Sequence, residues 1–157
     1  MLESGFVQNI NGSFSICGKP ISFIGANVYE LANLETDVTR AVIDDAVKTG
    51  FNVLRFWLFQ NRETALMINK LNEICDMVHA PGIKLIVSLA DKWGYLQNYK
   101  IDEKWYRSVY KKAYLKYVKE VTASCRLRDE IMIWELINEP ETDSFDSFFN
   151  FVKHTSE

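Results

Sequence analysis

The chain has 157 residues, 48% hydrophobic and 25% charged, which fits one compact globular unit and excludes intrinsic disorder. A formal net charge of −3 argues against a nucleic-acid partner, which requires a basic face. No apolar run approaches the roughly 20 residues of a membrane span, and the opening Met1-Leu2-Glu3-Ser4-Gly5 lacks the basic, then apolar layout of a signal peptide.

Residues 5–24 alternate short β-prone runs with turn signals. Asn11-Gly12 favours a type I′ hairpin and Gly18-Lys19-Pro20 marks a second turn, so a small hairpin over residues 5–20 leads into a strand over residues 21–27. Thr36 or Asp37 can cap a helix that runs to about Thr49, where Gly50 supplies the stop. Residues 51–59 are almost continuously apolar, as in a strand covered on both faces of a parallel sheet, and Arg55 is the exception. Met67, Leu71, Ile74 and Val78 share one face of the next helix, which Pro81-Gly82 ends. Residues 83–89 form a third strand. Residues 90–104 form a long loop carrying Trp93, Tyr95 and Tyr99, and loops of this length are more often functional than idle. A third helix spans residues 105–124 with Tyr106, Tyr110, Ala113, Tyr117 and Val121 on one side. Residues 131–137 form the fourth strand, and Phe145, Phe148, Phe149 and Val152 stripe a fourth helix.

Strand and helix thus alternate four times, from starts near residues 21, 51, 83 and 131. This is the layout of βα units on a parallel sheet, so the fold class is α/β and residues 1–157 read as a single domain. There is no Gly/Ser linker, low-complexity stretch or internal sequence repeat.

In such folds the reactive groups sit at the carboxyl ends of the strands. Those ends offer Asn27, Tyr29 and Glu30, then Arg55, Trp57 and Gln60, then Asp91 and Trp93, then Asn138, Glu139 and Glu141. No serine sits in a nucleophile elbow and no Gly-rich phosphate loop follows a strand. The two histidines, His79 and His154, fall late in helices and read as solvated residues favouring the carboxyl-terminal dipole. No cofactor and no metal are expected. Cys17, Cys75 and Cys125 are odd in number and widely spaced, which suits buried free thiols rather than disulfides or a zinc site. A carboxylate beside an amide with indoles nearby suits carbohydrate chemistry. The carboxyl group can protonate a glycosidic oxygen, the amide can bond sugar hydroxyls, and indoles stack on pyranose C–H faces.

Trp134-Glu135-Leu136-Ile137-Asn138-Glu139-Pro140 resembles the fourth-strand signature of the clan of (β/α)8-barrel retaining glycosidases. Gly25-x-Asn27-x-Tyr29, Asn52-Val53-x-Arg55-x-Trp57 and Leu85-Ile86-x-Ser88-Leu89-x-x-x-Trp93 fall in the order and spacing of family 5 endo-β-1,4-mannanases. The opening Gly-Lys-Pro hairpin is similar to the segment that closes the barrel floor in that family. The resemblance covers the whole chain. It implies Glu139 as general acid/base, Asn138 as the amide that holds the sugar 2-hydroxyl, and Arg55 as support for the catalytic carboxylates. It also implies Asn27, Tyr29, Trp57 and Trp93 as substrate-binding positions, a β-linked polysaccharide or oligosaccharide as partner, and an extracellular setting. Glu30 stands where the family commonly carries an aromatic.

A general acid needs a pKa well above that of a free Glu. A retaining glycosidase also needs a nucleophilic carboxylate about 5–5.5 Å from the acid/base, which in this family comes from the seventh strand. Four βα units are half of a barrel of about 250 residues. The resemblance therefore implies an amino-terminal half without its nucleophile, inactive in isolation. A β-1,4-glucanase of the same family is the near alternative. The other is a non-catalytic half-barrel that binds sugar or pairs with itself through open strand edges.

Residue by residue, simpler readings stand beside these. Arg55 can be a core cation paired with Glu135 or Glu139, Glu135 a barrel-interior ion pair, Trp57 and Trp134 core, and the helical tyrosines packing. Strict alternation would send Asn138 and Glu139 to opposite faces unless the strand ends or bulges there, and Pro140 favours an ending.

Overall fold

The computed structural model describes residues 5–60, 62–97 and 99–157, so Met1-Leu2-Glu3-Ser4, part of the opening segment read above, lie outside the described residues. The chain opens with an antiparallel meander of β1 (Gln8–Ile10), β2 (Ser13–Ile16) and β3 (Lys19–Pro20). Asn11 and Gly12 take φ of 53° and 81°, the two positive values a type I′ turn demands. The second turn sits at Cys17 and Gly18, with φ of 49° and 74°, slightly earlier than expected. Proline cannot adopt positive φ, so Lys19 and Pro20 pair with Ile16 and Ser15 instead of turning.

Four parallel strands follow in the order β4 (Gly25–Asn27), β5 (Val53–Trp57), β6 (Lys84–Ser88) and β7 (Ile131–Glu135). They are joined by α1 (Thr36–Thr49), α2 (Thr64–His79), the short α3 (Glu103–Arg107) and α4 (Ala113–Ser124), and α5 (Phe145–Ser156) comes last. Each strand is shorter than its apolar run, because the flanking residues leave the ladder to build loops. The residue ahead of α1 is Glu35, which makes no side-chain cap bond, so neither Thr36 nor Asp37 caps it. Gly50 stops the helix in the left-handed conformation.

Alternation along β5 and β6 sends Leu54, Phe56, Leu85 and Val87 to the helix side, each at most 1% exposed. Arg55 and Trp57 take the other face. A register shift between Leu85 and Ile86 sets Ile133 opposite Ile86 and Glu135 opposite Ser88. The shift lowers Glu135 by one position, to the level where Ser88 pairs with Trp57.

The third helix is broken. α3 is capped by Asp102, which accepts from the Trp105 amide at 2.9 Å, and a 3-10 turn at Val109–Lys111 separates it from α4. On an unbroken helix Trp105 and Tyr114 would lie about 180° apart. The break lets Trp105, Tyr110 and Tyr114 all surround Phe151 of α5, at centroid distances of 5.2, 5.1 and 5.9 Å. Phe151 therefore sets the inward face of α5 and is fully buried, while Phe145 and Phe149 of the expected stripe are 77% and 56% exposed. Ala113 is likewise exposed, and Tyr114 takes the inward place beside it.

Cys75 and Cys125 are buried free thiols, and burial pushes the Cys75 thiol up to about 12. Cys17 is exposed, because the hairpin turn holds it at the surface. Neither histidine is simply solvated. His154 Nδ1 lies 2.8 Å from the Tyr110 hydroxyl, and His79 Nδ1 lies 2.6 Å from Glu130 Oε1. Among the described residues no helix is long and apolar enough to cross a membrane.

Candidate active site

Arg55 is the hub at the carboxyl ends of the strands. Its Nη2 donates to both Glu135 oxygens at 2.6 and 2.8 Å, and its Nε donates to Oε2 at 3.0 Å. Nη2 also reaches Asn138 Oδ1 at 2.7 Å, and Nη1 reaches Asn27 Oδ1 at 3.3 Å. The guanidinium carbon sits 4.1 Å from the centroid of the Trp57 ring, so the charge gains a cation–π contact as well as a forked ion pair. The carboxylate paired with Arg55 is Glu135, not Glu139.

Asp91 anchors the other side and is 1% exposed. Its Oδ1 accepts from Asn138 Nδ2 at 3.0 Å and its Oδ2 from the Tyr29 hydroxyl at 2.9 Å. The Gln97 side chain holds the Asp91 backbone, with Oε1 accepting from the Asp91 amide at 3.2 Å. Burial, reinforced by the hydrogen bond to Asp91, raises the Tyr29 phenol far above its ordinary range, so it remains a donor. The Asn138 amide is thereby fixed: its oxygen faces a guanidinium that can only donate, and its nitrogen faces a carboxylate that accepts.

β7 ends at Glu135, and beyond it only an isolated parallel bridge joins Asp91 to Asn138. Glu139 takes φ of 46°, a left-handed value that costs a non-glycine residue about 1–3 kcal/mol and clusters at functional sites. Two-residue alternation no longer applies there, so Asn138 turns into the buried network while Glu139 is exposed. Glu139 Oε2 accepts from the Trp93 indole N–H.

The structure thus brings Asn27, Tyr29, Arg55, Trp57, Trp93, Asn138 and Glu139 to one end of the sheet. Trp57 is only 5% exposed and forms a floor beneath Arg55 and Tyr29, whereas Trp93 and Tyr95 are 58% and 78% exposed. Gln60 and Glu141 stand apart, Gln60 bonding the Ala113 carbonyl at 3.3 Å and Glu141 pairing with Lys92 at 3.1 Å. Sequence reasoning gave Asp91 no role, although an aspartate directly after an apolar strand and before an aromatic loop was the available signal. Gln97 carried no signal. The trio of His, Cys, Asp or Glu ligand atoms that converges among the described residues lies at the other end of the sheet.

A family model described as cellulase (glycosyl hydrolase family 5) matches residues 15–156. The chain belongs to glycosyl hydrolase family 5. Mannan endo-1,4-beta-mannosidase F of Aspergillus clavatus is 27% identical over 190 residues, covering 98% of this chain and 44% of its own length. Mannan endo-1,4-beta-mannosidase 1 of Solanum lycopersicum is 29% identical over 177 residues, covering 88% and 45%. The endo-1,4-beta-mannanase of Rhizomucor miehei superposes with a TM-score of 0.82 at 20% identity, covering 96% of this chain and 56% of that one. The alkaline cellulase K catalytic domain superposes with a TM-score of 0.61 at 17% identity, covering 98% and 48%. This family 5 chain therefore has the fold of a partial (β/α)8 barrel and spans about 44–45% of the length of these curated relatives.

Proposed function

We propose that the chain is the acid/base-bearing part of an endo-β-1,4-mannanase-like retaining glycosidase acting on β-mannan, with Glu139 as general acid/base. The observation that carries this reading is the setting of Glu139, an exposed carboxylate held by left-handed backbone and tied to the Trp93 indole. Beside it stands an amide locked between Arg55 and Asp91. A carboxyl group so placed can protonate a glycosidic oxygen and then deprotonate water. Asn138 has a second amide N–H to offer a sugar hydroxyl, Asn27 and Tyr29 form a polar wall, and Trp93 presents a ring face for stacking.

A second carboxylate is needed about 5–5.5 Å from the acid/base. Glu135 and Asp91 have their oxygens engaged by Arg55, Asn138 and Tyr29. On this reading the nucleophile comes from the part of the longer relatives that this chain does not match, and the 157-residue chain alone does not turn over substrate. The mannosidase names of the curated relatives favour mannan, and the likeness to a cellulase makes β-1,4-glucan the near alternative.

The test is a mass-spectrometric time course with manno- and cello-oligosaccharides. The chain alone is expected to cleave neither. Fused to the remaining length of a family 5 mannanase, it is expected to cleave manno-oligosaccharides, and Glu139→Ala is expected to slow this by about 10²–10⁴-fold. The loss should be smaller on aryl glycosides, whose leaving groups need no proton. Cleavage by the chain alone that disappears in Glu139→Ala would show a nucleophile supplied within the chain or by a second copy of it.

One observation favours a second reading, self-association. β4 and β7 are the open edges of the four-strand sheet, and Ile24 just before β4 and Ile133 within β7 are 62% and 37% exposed. Light scattering separates the two readings, because a monomer at all concentrations rules out edge pairing.

A further inference from the structure

At the amino-terminal ends of the strands, opposite the cleft, α2 and the turn before β7 bring three ligand-bearing side chains together. His79 closes α2, Asp129 and Glu130 directly precede β7, and one donor atom from each lies within 4.8 Å of the others. Glu130 makes this more than a surface cluster. It is 5% exposed, and its Oε1 is the oxygen next to His79 Nδ1. Its Oε2 is buried and has no hydrogen-bond partner among the described residues. The contact with His79 therefore leaves half of a buried carboxylate unsatisfied, a costly state that calls for a ligand. An open recess of about 440 Å³, lined by His79, Asp129 and Glu130 together with Asp76, Leu127 and Arg128, gives access from solvent.

The neighbouring cations do not fill this role. Arg128 is engaged by Asp76 at 2.7 Å and Asn72 at 2.8 Å. Lys84 Nζ is anchored by the carbonyls of Asp129 and Gly5 at 2.7 and 3.1 Å, and it approaches Asp129 Oδ1 only to 3.6 Å. Lys84 offsets one of the two carboxylate charges and leaves the other.

We propose that His79, Asp129 and Glu130 form a site for a divalent first-row transition ion of the zinc class, held by one imidazole nitrogen, two carboxylate oxygens and water. Imidazole with carboxylates is a donor set that such ions accept, and three protein ligands with an open fourth position is a familiar zinc arrangement. Tetrahedral bonds of about 2.0–2.2 Å place donors about 3.4 Å apart, so His79 Nδ1 and Glu130 Oε1, 2.6 Å apart, must separate to admit the ion. The His79 side chain, 71% exposed, has room to do so. The ion would tie the end of α2 to the start of β7 on the barrel face where side chains serve stability rather than catalysis. The site is independent of the glycosidase reading.

The test is calorimetric titration of zinc chloride into the metal-stripped, tag-free 157-residue chain, paired with thermal unfolding. One equivalent is expected to bind, and Tm is expected to rise with zinc concentration. His79→Gln, at a solvent-facing position that does not threaten the fold, should weaken binding by at least about tenfold and remove the Tm rise. Glu130→Gln should do the same in a variant whose circular dichroism matches the parent. A dissociation constant weaker than about 1 mM overturns the proposal. So does zinc binding that His79→Gln leaves unchanged, and so does magnesium binding as tightly as zinc, which would mark a carboxylate cluster without the imidazole.

Discussion

On the helix side of the parallel sheet, Leu54, Phe56, Leu85 and Val87 join a layer in which Phe151 sits among Trp105, Tyr106, Tyr110 and Tyr114. On the cleft side of the same strands, Arg55 and Glu135 stand in a chain of directed bonds that runs through Asn138 to Asp91 and Tyr29. The first region is held by volume, where many small contacts add and no single partner is obligatory. The second is held by one-to-one pairing, where losing one member orphans the next. The two sides should therefore fail differently when cut.

Two substitutions of similar cost expose the difference. Phe151→Ala empties the middle of the aromatic layer and should cost about 3–5 kcal/mol by urea denaturation. Arg55→Met leaves Glu135 uncompensated and should also cost about 3–5 kcal/mol. The double variant Arg55→Met/Glu135→Met removes the orphaned charge and should be more stable than Arg55→Met alone. A double variant no more stable than the single would mean that the cleft side, too, is held by packing.

Alkaline pH acts on the buried tyrosines of the helix side as it does on Tyr29. Burial raises the phenols of Tyr114 and Tyr117 well above their ordinary value, and Tyr117 donates to the Leu58 carbonyl at 2.6 Å. Below about pH 10 these tyrosines are protonated in both the folded and unfolded states, and their contribution is intact. Above it the unfolded chain loses phenolic protons that the folded chain keeps, so stability falls by about 1.4 kcal/mol per pH unit for each such tyrosine. Urea midpoints measured upward from pH 10 should fall less steeply in Tyr117→Phe than in the parent, whatever the offset at neutral pH.

A milder change probes the far end of the polar chain. Tyr29→Phe keeps the ring against Trp57, at 4.8 Å between centroids, and deletes the donor to Asp91. About 1.5–3 kcal/mol should be lost, because a buried carboxylate oxygen is left without its donor. Because Asp91 also holds Asn138, the same change should weaken oligosaccharide binding more than it lowers Tm.

The contrast also explains what the residue order could reveal. The βα alternation was legible because apolar runs and helical stripes report burial directly, as Met67, Leu71, Ile74 and Val78 do. Strand ends offered Arg55, Asn138 and Glu139 because charged or amide residues beside apolar runs stand out. Which groups pair was not legible. The choice of Glu135 for Arg55 depends on the register shift at Leu85 and Ile86, which no periodicity encodes. Gln97 reaches the Asp91 backbone from a loop, and Asp91 itself gains importance only once Tyr29 and Asn138 converge on it. The break between α3 and α4, across which Trp105 and Tyr114 both contact Phe151, was likewise not written in the helical stripe.

The α5 stripe supplies the smallest effect and the sharpest check on the volume argument. Phe145 and Phe151 have the same ring on one helix, yet Phe145 is 77% exposed and, among the described residues, stacks on Phe149 alone, at 6.2 Å between centroids. Phe145→Ser removes little surface that folding has buried, so stability should change by no more than about 0.5 kcal/mol. A loss approaching that of Phe151→Ala would mean that this ring is covered in solution. Light scattering on the same samples would then show whether a second copy covers it.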